Sequence, residues 1–377
     1  MKLAIISHTE HYKKSDGTIV GWSPTVNEIN HLLDVFDEIY HVAMLHKGEA
    51  PPSALAYVND RVKFVPLKPS GGRSLLSKFN SVLRAPSTIK TVSKTLKQVD
   101  CFQLRTPTGI GVYLIPYLTY FSKKKGWFKY AGNWSQEHPP LGYRLQRFML
   151  KNQSRKVTIN GKWDNQPKQC YTFENPCLTV KDVAFGDEVI SQKKAFNAVT
   201  FCYVGRLEKE KGVERIIKGF IKLTDAQKRR VDKVHLVGDG HDLEYFKSLS
   251  VASGIDFEFH GFLSREEVFE VYKKAHVFLM PTTASEGFPK VIAEAMNFGC
   301  IPVVSNVSSI GQYIKDGENG FIITEITAEG VKHQIQNILK LSHEEYIKFT
   351  EARNVIVNKF TFTYYNNRIK NDILNIS

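Results

Sequence analysis

The chain reads as an α/β protein made of two doubly wound domains, each with a parallel sheet. Three observations predict this. Short apolar runs alternate with stretches of helical spacing. That alternation starts twice, near Leu3 and again near Ala198. The 377 residues are too many for one ordinary domain of roughly 150 residues.

Taken in order, Leu3 to Ser7 predicts a short buried strand, and Asp16-Gly17 with Gly21 a loop. Thr25 to Phe36 follows with helical spacing in Val26, Ile29, Leu32, Leu33 and Phe36. In the second half, Thr200 to Val204 predicts a strand, Gly205 to Lys211 a loop and Val213 to Leu223 an amphipathic helix. VHLVG precedes a helix from about His241, and IDFEFHG one from Arg265 to Lys274. HVFLMP precedes a helix from about Pro289 to Phe298, and IPVVS follows. Such regular alternation is the mark of a parallel sheet covered on both faces. The joint falls between Asn175 and Asn197, where NPCLTVKDV and SQKKAFN break the pattern, and the tail FTFTYYNNRIKNDILNI is one more amphipathic helix. The expected divisions are residues 1–180, 181–355 and a closing helix over 356–377.

Apolar residues form 42% of the chain and charged ones 24%, which excludes a disordered or collagen-like chain. The five cysteines, Cys101, Cys170, Cys177, Cys202 and Cys300, are odd in number and form no CxxC pair. That argues against a disulfide scaffold and for a reducing compartment. Leu3 to Ile6 is too short an apolar run for a signal peptide, and Gly109 to Phe121 is too short to span a bilayer. The net charge of +13 is concentrated in the first half. Lys123 to Lys168 carries eleven Lys or Arg against Glu137 and Asp164, and Asp60 to Asp100 nine against those two terminal acids. Such a half suits an anionic surface or acceptor; a merely solvated face is the plain alternative.

In doubly wound sheets ligands bind beyond the carboxyl ends of the strands, so the loops there carry the argument. In GRLEKEKGVE, Gly205 ends a strand and Arg206 and Lys211 stand beside a helix start, a setting that favours phosphate; neutralisation by Glu208 and Glu210 is the simpler reading. GDGHDL offers Gly238 and Gly240 after a strand, without the third glycine of a dinucleotide fingerprint. PTTASEGFPKVIAEAMNFG is the most informative. Pro289 suits a first helical position, Glu286 lies just before the helix, and Glu294 lies on its second turn. Taken singly, Glu286 could complement the helix dipole and Glu294 could pair with Lys290.

Together, YVGRLEKEKGVERIIKGF, VHLVGDG, FHGFLSREEVFEVYKKAHVFLMPTTASEGFPKVIAEAMNFGCIPVVS and IKDGENGFII resemble the family 4 retaining glycosyltransferases of the GT-B fold. The resemblance is close over about residues 198 to 325 and holds only in outline before that. It implies two Rossmann-like domains facing a cleft, with the last helix returning to the first domain. It implies that Arg206 and Lys211 hold the diphosphate of a nucleotide-sugar donor, that Glu286 faces the donor sugar and that Glu294 binds the ribose. It implies that the amides of Gly287, Phe288 and Pro289 help hold the phosphates and that Gly17 closes on them from the first domain. Gly205, Gly238 and Phe262 complete the implied donor site, and no metal or other cofactor is expected. One departure stands in KYAGNWSQEHPPLGYRLQRF, which has no clear counterpart of the family's sugar-contacting histidine; His138, Trp134 or Asn133 stand there instead.

The expected function is therefore transfer of a sugar, hexosyl in type and with retention, from a nucleotide diphosphate sugar. The acceptor would be a saccharide or lipid-linked saccharide of a cell-surface polysaccharide, bound by the first domain. A cytoplasmic enzyme at an anionic membrane face suits the basic first half, with Trp127, Phe128 and Leu141 available for shallow insertion. The rivals are an epimerase of the same fold and a basic nucleic-acid-binding protein. The latter leaves the second-half loops unexplained, so no nucleic-acid partner is expected.

Overall fold

A computed structural model describes residues 1–70, 83–193, 196 and 198–376. Arg73 and Lys78 of the basic first half, and part of the SQKKAFN joint, lie outside these residues. The chain divides into two compact units, residues 1–174 with 362–377, and residues 175–361.

The first unit is built on a nine-stranded sheet. Its parallel part runs in the order β5 (Val62–Leu67), β3 (Glu38–Leu45), β1 (Lys2–Lys13), β6 (Cys101–Thr106), β7 (Lys125–Tyr130), β8 (Val157–Ile159) and β9 (Cys170–Thr172). The expected parallel core is there, but the sheet is mixed. β1 runs on to Lys13 and turns at Lys14–Thr18 into the antiparallel β2 (Ile19–Trp22), which pairs in turn with β4 (Ala54–Ala56). Gly21, expected in a loop, is therefore a strand residue. A side chain there would collide with His11, which β1 places directly beneath it.

Successive residues of a strand face opposite sides, and both sides here are covered. Ala4 and Ile6 enter one core with Phe102, Leu104 and Phe128, while Leu3 and Ile5 enter the other with Ile29, Leu32 and Trp127. Trp127 and Phe128 are thus buried on opposite faces of β7, which removes them as membrane-inserting residues. The closing helix, Phe362–Arg368 with a wider turn at Ile369–Leu374, adds Tyr365, Ile369 and Ile373 to the second core.

The second unit holds a six-stranded, all-parallel sheet in the order β12 (Phe257–Gly261), β11 (Val231–Val237), β10 (Val199–Val204), β13 (Val277–Met280), β14 (Ile301–Ser305) and β15 (Phe321–Ile323). The chain winds outward from β10 to β12, then returns to the other side of β10 and winds outward again to β15. The switch of direction lies between β10 and β13, where loops leave in opposite directions and open a crevice. Ahead of the sheet, Val180–Ser191 is a helix whose start is fixed by a capping box between Thr179 and Asp182. The sequence reading had taken this segment as an interruption.

Candidate active site

The crevice is framed by the loop after β10, Gly205 to Gly212, and the loop after β13, Pro281 to Pro289. Backbone geometry ties the two together. The Glu210 carbonyl accepts from the Thr283 N–H at 2.9 Å and from the Thr282 and Thr283 hydroxyls at 3.3 and 3.2 Å. Arg215 donates to the Pro281 carbonyl at 3.1 Å, and Ser305 to the Thr282 carbonyl at 2.6 Å. Gly212, at φ 94°, turns the first loop into the helix Val213–Ile221, and any side chain there would strike the Pro281 carbonyl.

That clamp brings Lys211 to Glu286. The Lys211 stem is buried and its Nζ forms an ion pair with Glu286 Oε1, while the Glu286 side chain remains 46% exposed. Arg206 lies nearer the mouth, 67% exposed, with its guanidinium 2.8 Å from Glu208. The neutralising reading of Glu208 is thus met at Arg206, whereas the residue that meets Lys211 is Glu286, not Glu210. Glu286 does more than complement a helix dipole.

The helix beyond it runs Lys290–Asn297, with Pro289 as its N-cap rather than its first residue, and no side chain caps it. Its first amides, Lys290 and Val291, precede any intrahelical acceptor and carry the positive end of the dipole. One expectation is corrected here. Pro289 has no N–H, so the turn offers amides only from Gly287 and Phe288 before the helix begins. Phe288 points inward, its ring 4.9 Å from Tyr313 and 4.5 Å from Phe360, and so pins the turn.

Glu294 occupies a different environment. It is half-buried within the helix, and among the described residues its carboxylate forms neither the pair with Lys290 that the plainer reading offered nor any other ion pair. Burial raises its carboxyl above the usual range, opposed by the charges of Arg265 and Lys290. Arg265 itself pairs with Asp182 at 2.8 Å, donates to the Cys177 carbonyl and lies 4.2 Å over the Phe269 ring. The sequence reading missed Arg265. Its signal was position, the first helical residue after the β12 loop.

The glycines do other work than expected. Gly238, at φ 129°, has no room for a side chain because the Gly205 carbonyl fills it, and Gly240 is held the same way by the Leu207 carbonyl. They allow two backbones to meet. Gly205 is limited too, by the Tyr203 hydroxyl, which donates to the Arg206 carbonyl at 2.8 Å. Phe262 is 53% exposed just past β12. Gly17, at φ 88°, sits in the β1–β2 turn of the first unit. Trp134 is buried, edge-on to Tyr130 at 5.1 Å, while His138 is exposed.

Residues 187–354 match the family of glycosyl transferases group 1. The match falls within the second unit. An uncharacterised glycosyltransferase of Methanocaldococcus jannaschii is 28% identical over 182 residues, 48% of this chain and 46% of that one. The lipopolysaccharide 1,6-galactosyltransferase of Salmonella typhimurium is 34% identical over 131 residues, 33% of this chain and 35% of that one. The chain spans less than half the length of these curated relatives. Over its whole length the fold matches Anabaena HepE, solved with UDP, at a TM-score of 0.71 and 14% identity. It also matches the sucrose-phosphate synthase of Thermosynechococcus elongatus at 0.74 and 14%, covering 100% of this chain and 98% of that one. The fold is GT-B, and the segment that matches the group 1 model contributes the Lys211–Glu286 crevice.

Proposed function

We propose that this protein transfers a hexosyl unit from a nucleotide diphosphate sugar to a saccharide or lipid-linked saccharide, with retention and without a metal. The observation that carries the reading is the meeting of Lys211 and Glu286 at the switch point, beside an uncapped helix start. An ammonium has three donors. With one on Glu286, two remain for a diphosphate, and Arg206 can swing from Glu208 to add a forked contact. As the glycosidic bond to the diphosphate breaks, these cations and the helix dipole stabilise the departing charge. The Glu286 side chain is 46% exposed, so its second oxygen can accept from sugar hydroxyls and oppose positive charge on the ring. Glu294 suits the ribose. Retention is supported by the Glu286–Glu294 spacing, which matches the family 4 pattern. The relatives' names, lipopolysaccharide and capsular polysaccharide transferases, support a cell-surface acceptor.

Incubation with a panel of nucleotide sugars, UDP-sugars first because HepE binds UDP, should release nucleotide diphosphate. Replacing Arg206 or Lys211 by Ala should weaken diphosphate binding by about tenfold or more, the scale of a charge-assisted contact, and leave the nucleoside little changed. If the diphosphate keeps its advantage over the nucleoside in both variants, the donor site is elsewhere. Donor turnover that needs no acceptor would favour the epimerase.

A further inference from the structure

The outer strands of the second unit carry a cluster that the transferase reading does not use. His235 on β11 stands opposite Glu258 on β12, and His260 follows Glu258 by two residues. Side chains two apart on a strand leave the same face, so all three project together. His235 Nδ1 lies 2.9 Å from His260 Nε2 and 3.4 Å from Glu258 Oε2. One ligand atom from each residue falls within 4.8 Å of the others.

We propose that His235, Glu258 and His260 bind a divalent transition-metal ion of the zinc type. Two imidazole nitrogens and a carboxylate oxygen form a borderline donor set suited to such an ion. Metal–nitrogen bonds of about 2.0–2.1 Å place tetrahedral donors about 3.3 Å apart, so the ring nitrogens need only separate slightly. Three protein ligands leave a fourth position for water. His235 and Glu258 line a groove of about 760 Å³, which gives the ion a route in.

The ligands sit on strands rather than loops, and His235 is 5% exposed, so packing holds the geometry in advance. Lys233 lies 2.9 Å from Glu258 Oε2 and opposes a bound cation, and the charge of Lys274 also bears on His235. Lys233 also pairs with Asp256 at 3.1 Å, and so keeps a partner when the ion takes the carboxylate. The ion would staple β12, the last strand of the sheet, to β11. The alternative is a plain hydrogen bond between two neutral imidazoles, which needs no ion.

The test uses the untagged full chain, stripped with a chelator, titrated with zinc by calorimetry and with cobalt by visible absorption. Wild type should bind one ion per chain and show the cobalt bands of a nitrogen–oxygen site. His260→Ala and His235→Gln should each weaken zinc binding at least tenfold and abolish those bands. His333→Ala, on the exposed side of the helix Ala328–Lys340, should change neither. Should His235→Gln fail to fold, His260→Ala decides, because that side chain lies at the sheet edge and is 18% exposed. No binding by wild type, or binding that survives His260→Ala and Glu258→Gln unchanged, overturns the proposal and leaves the hydrogen bond.

Discussion

Glu286 and Glu294 belong to one sequence pattern yet meet opposite surroundings. Glu286 is held by Lys211 and half open, and in the proposed reaction it opposes charge that develops on the sugar ring. Such an interaction strengthens in the transition state, and losing it lowers kcat more than binding. Glu286→Gln should bind donor nearly normally and turn over about a hundredfold more slowly. Glu294→Gln should mainly raise the donor KM. Steady-state kinetics on both variants decide this, and near-normal kcat in Glu286→Gln would sink it. Glu294 also has a stability signature. Its carboxyl is raised by burial, so the folded state holds that proton more tightly than the unfolded chain does. Ionising it therefore costs stability as pH rises through and above the carboxylate range. Without donor, Glu294→Gln should melt higher than wild type at pH 8, with the gain vanishing near pH 4. Residue types in the loops were legible in the sequence; these surroundings were not, because Arg265 and Asp182 come from distant segments.

At the scale of elements, buried polar clusters fix the first unit. Glu28 on the helix Ser23–Leu32 meets Arg105 of β6 at 2.9 Å, Lys129 of β7 at 2.7 Å and the Tyr365 hydroxyl of the closing helix at 3.1 Å. One carboxylate thus serves two buried cations and joins four elements. Glu28→Gln removes the carboxylate charge that both cations share and should cost about 3–5 kcal/mol, read by denaturant unfolding. A second cluster runs from His11 through the Tyr57 hydroxyl (2.9 Å) to His41 (2.5 Å) and on to Ser7 (2.8 Å). Burial drives the His11 imidazole down to about 4 and His41 well below its usual value. The unfolded chain then takes up protons first, so stability present above about pH 6.5 is lost as pH falls toward 4. The melting temperature should drop across that window, and less so in a His11→Gln variant that still folds. From Thr200 to Ser305 the strands and helices were legible from periodicity, as were Leu3 to Ser7 and the helix over Thr25 to Phe36. The β1–β2 hairpin was not, since an antiparallel turn and a loop share the same Asp16-Gly17 signal.

For the whole molecule, the basic first half divides once its structure is known. Lys129 belongs to the Glu28 cluster; Arg147, Arg155 and Lys156 donate to backbone carbonyls. Lys123, Lys125, Arg144 and Lys151 remain exposed in the first unit, with Tyr120, Phe121, Leu141 and Phe148 also exposed. The helix Leu141–Lys151 packs on Gly111–Pro116, which leads directly into Tyr117–Phe121. No helix among the described residues is long and apolar enough to cross a membrane. Each such cation near an anionic surface contributes about 1 kcal/mol, screened by salt. The chain should therefore bind anionic vesicles in a sedimentation assay, lose them at high salt, and bind several-fold less as Phe148→Ser. Equal partition onto neutral vesicles would rule out this surface.

The sequence by itself determined the two α/β domains, the loops that follow the strands, and the residue types at Arg206, Lys211, Glu286 and Glu294, because periodicity and turn chemistry are local. Only the tertiary structure decided which charges meet. Lys211 reaches Glu286 because parallel winding reverses between β10 and β13, and Glu210 then locks the two loops. Likewise Trp127 and Phe128 are core residues because β7 is covered on both faces. Pairing across distant segments depends on strand order, and strand order is set by the packing of the whole sheet rather than by any one stretch of chain.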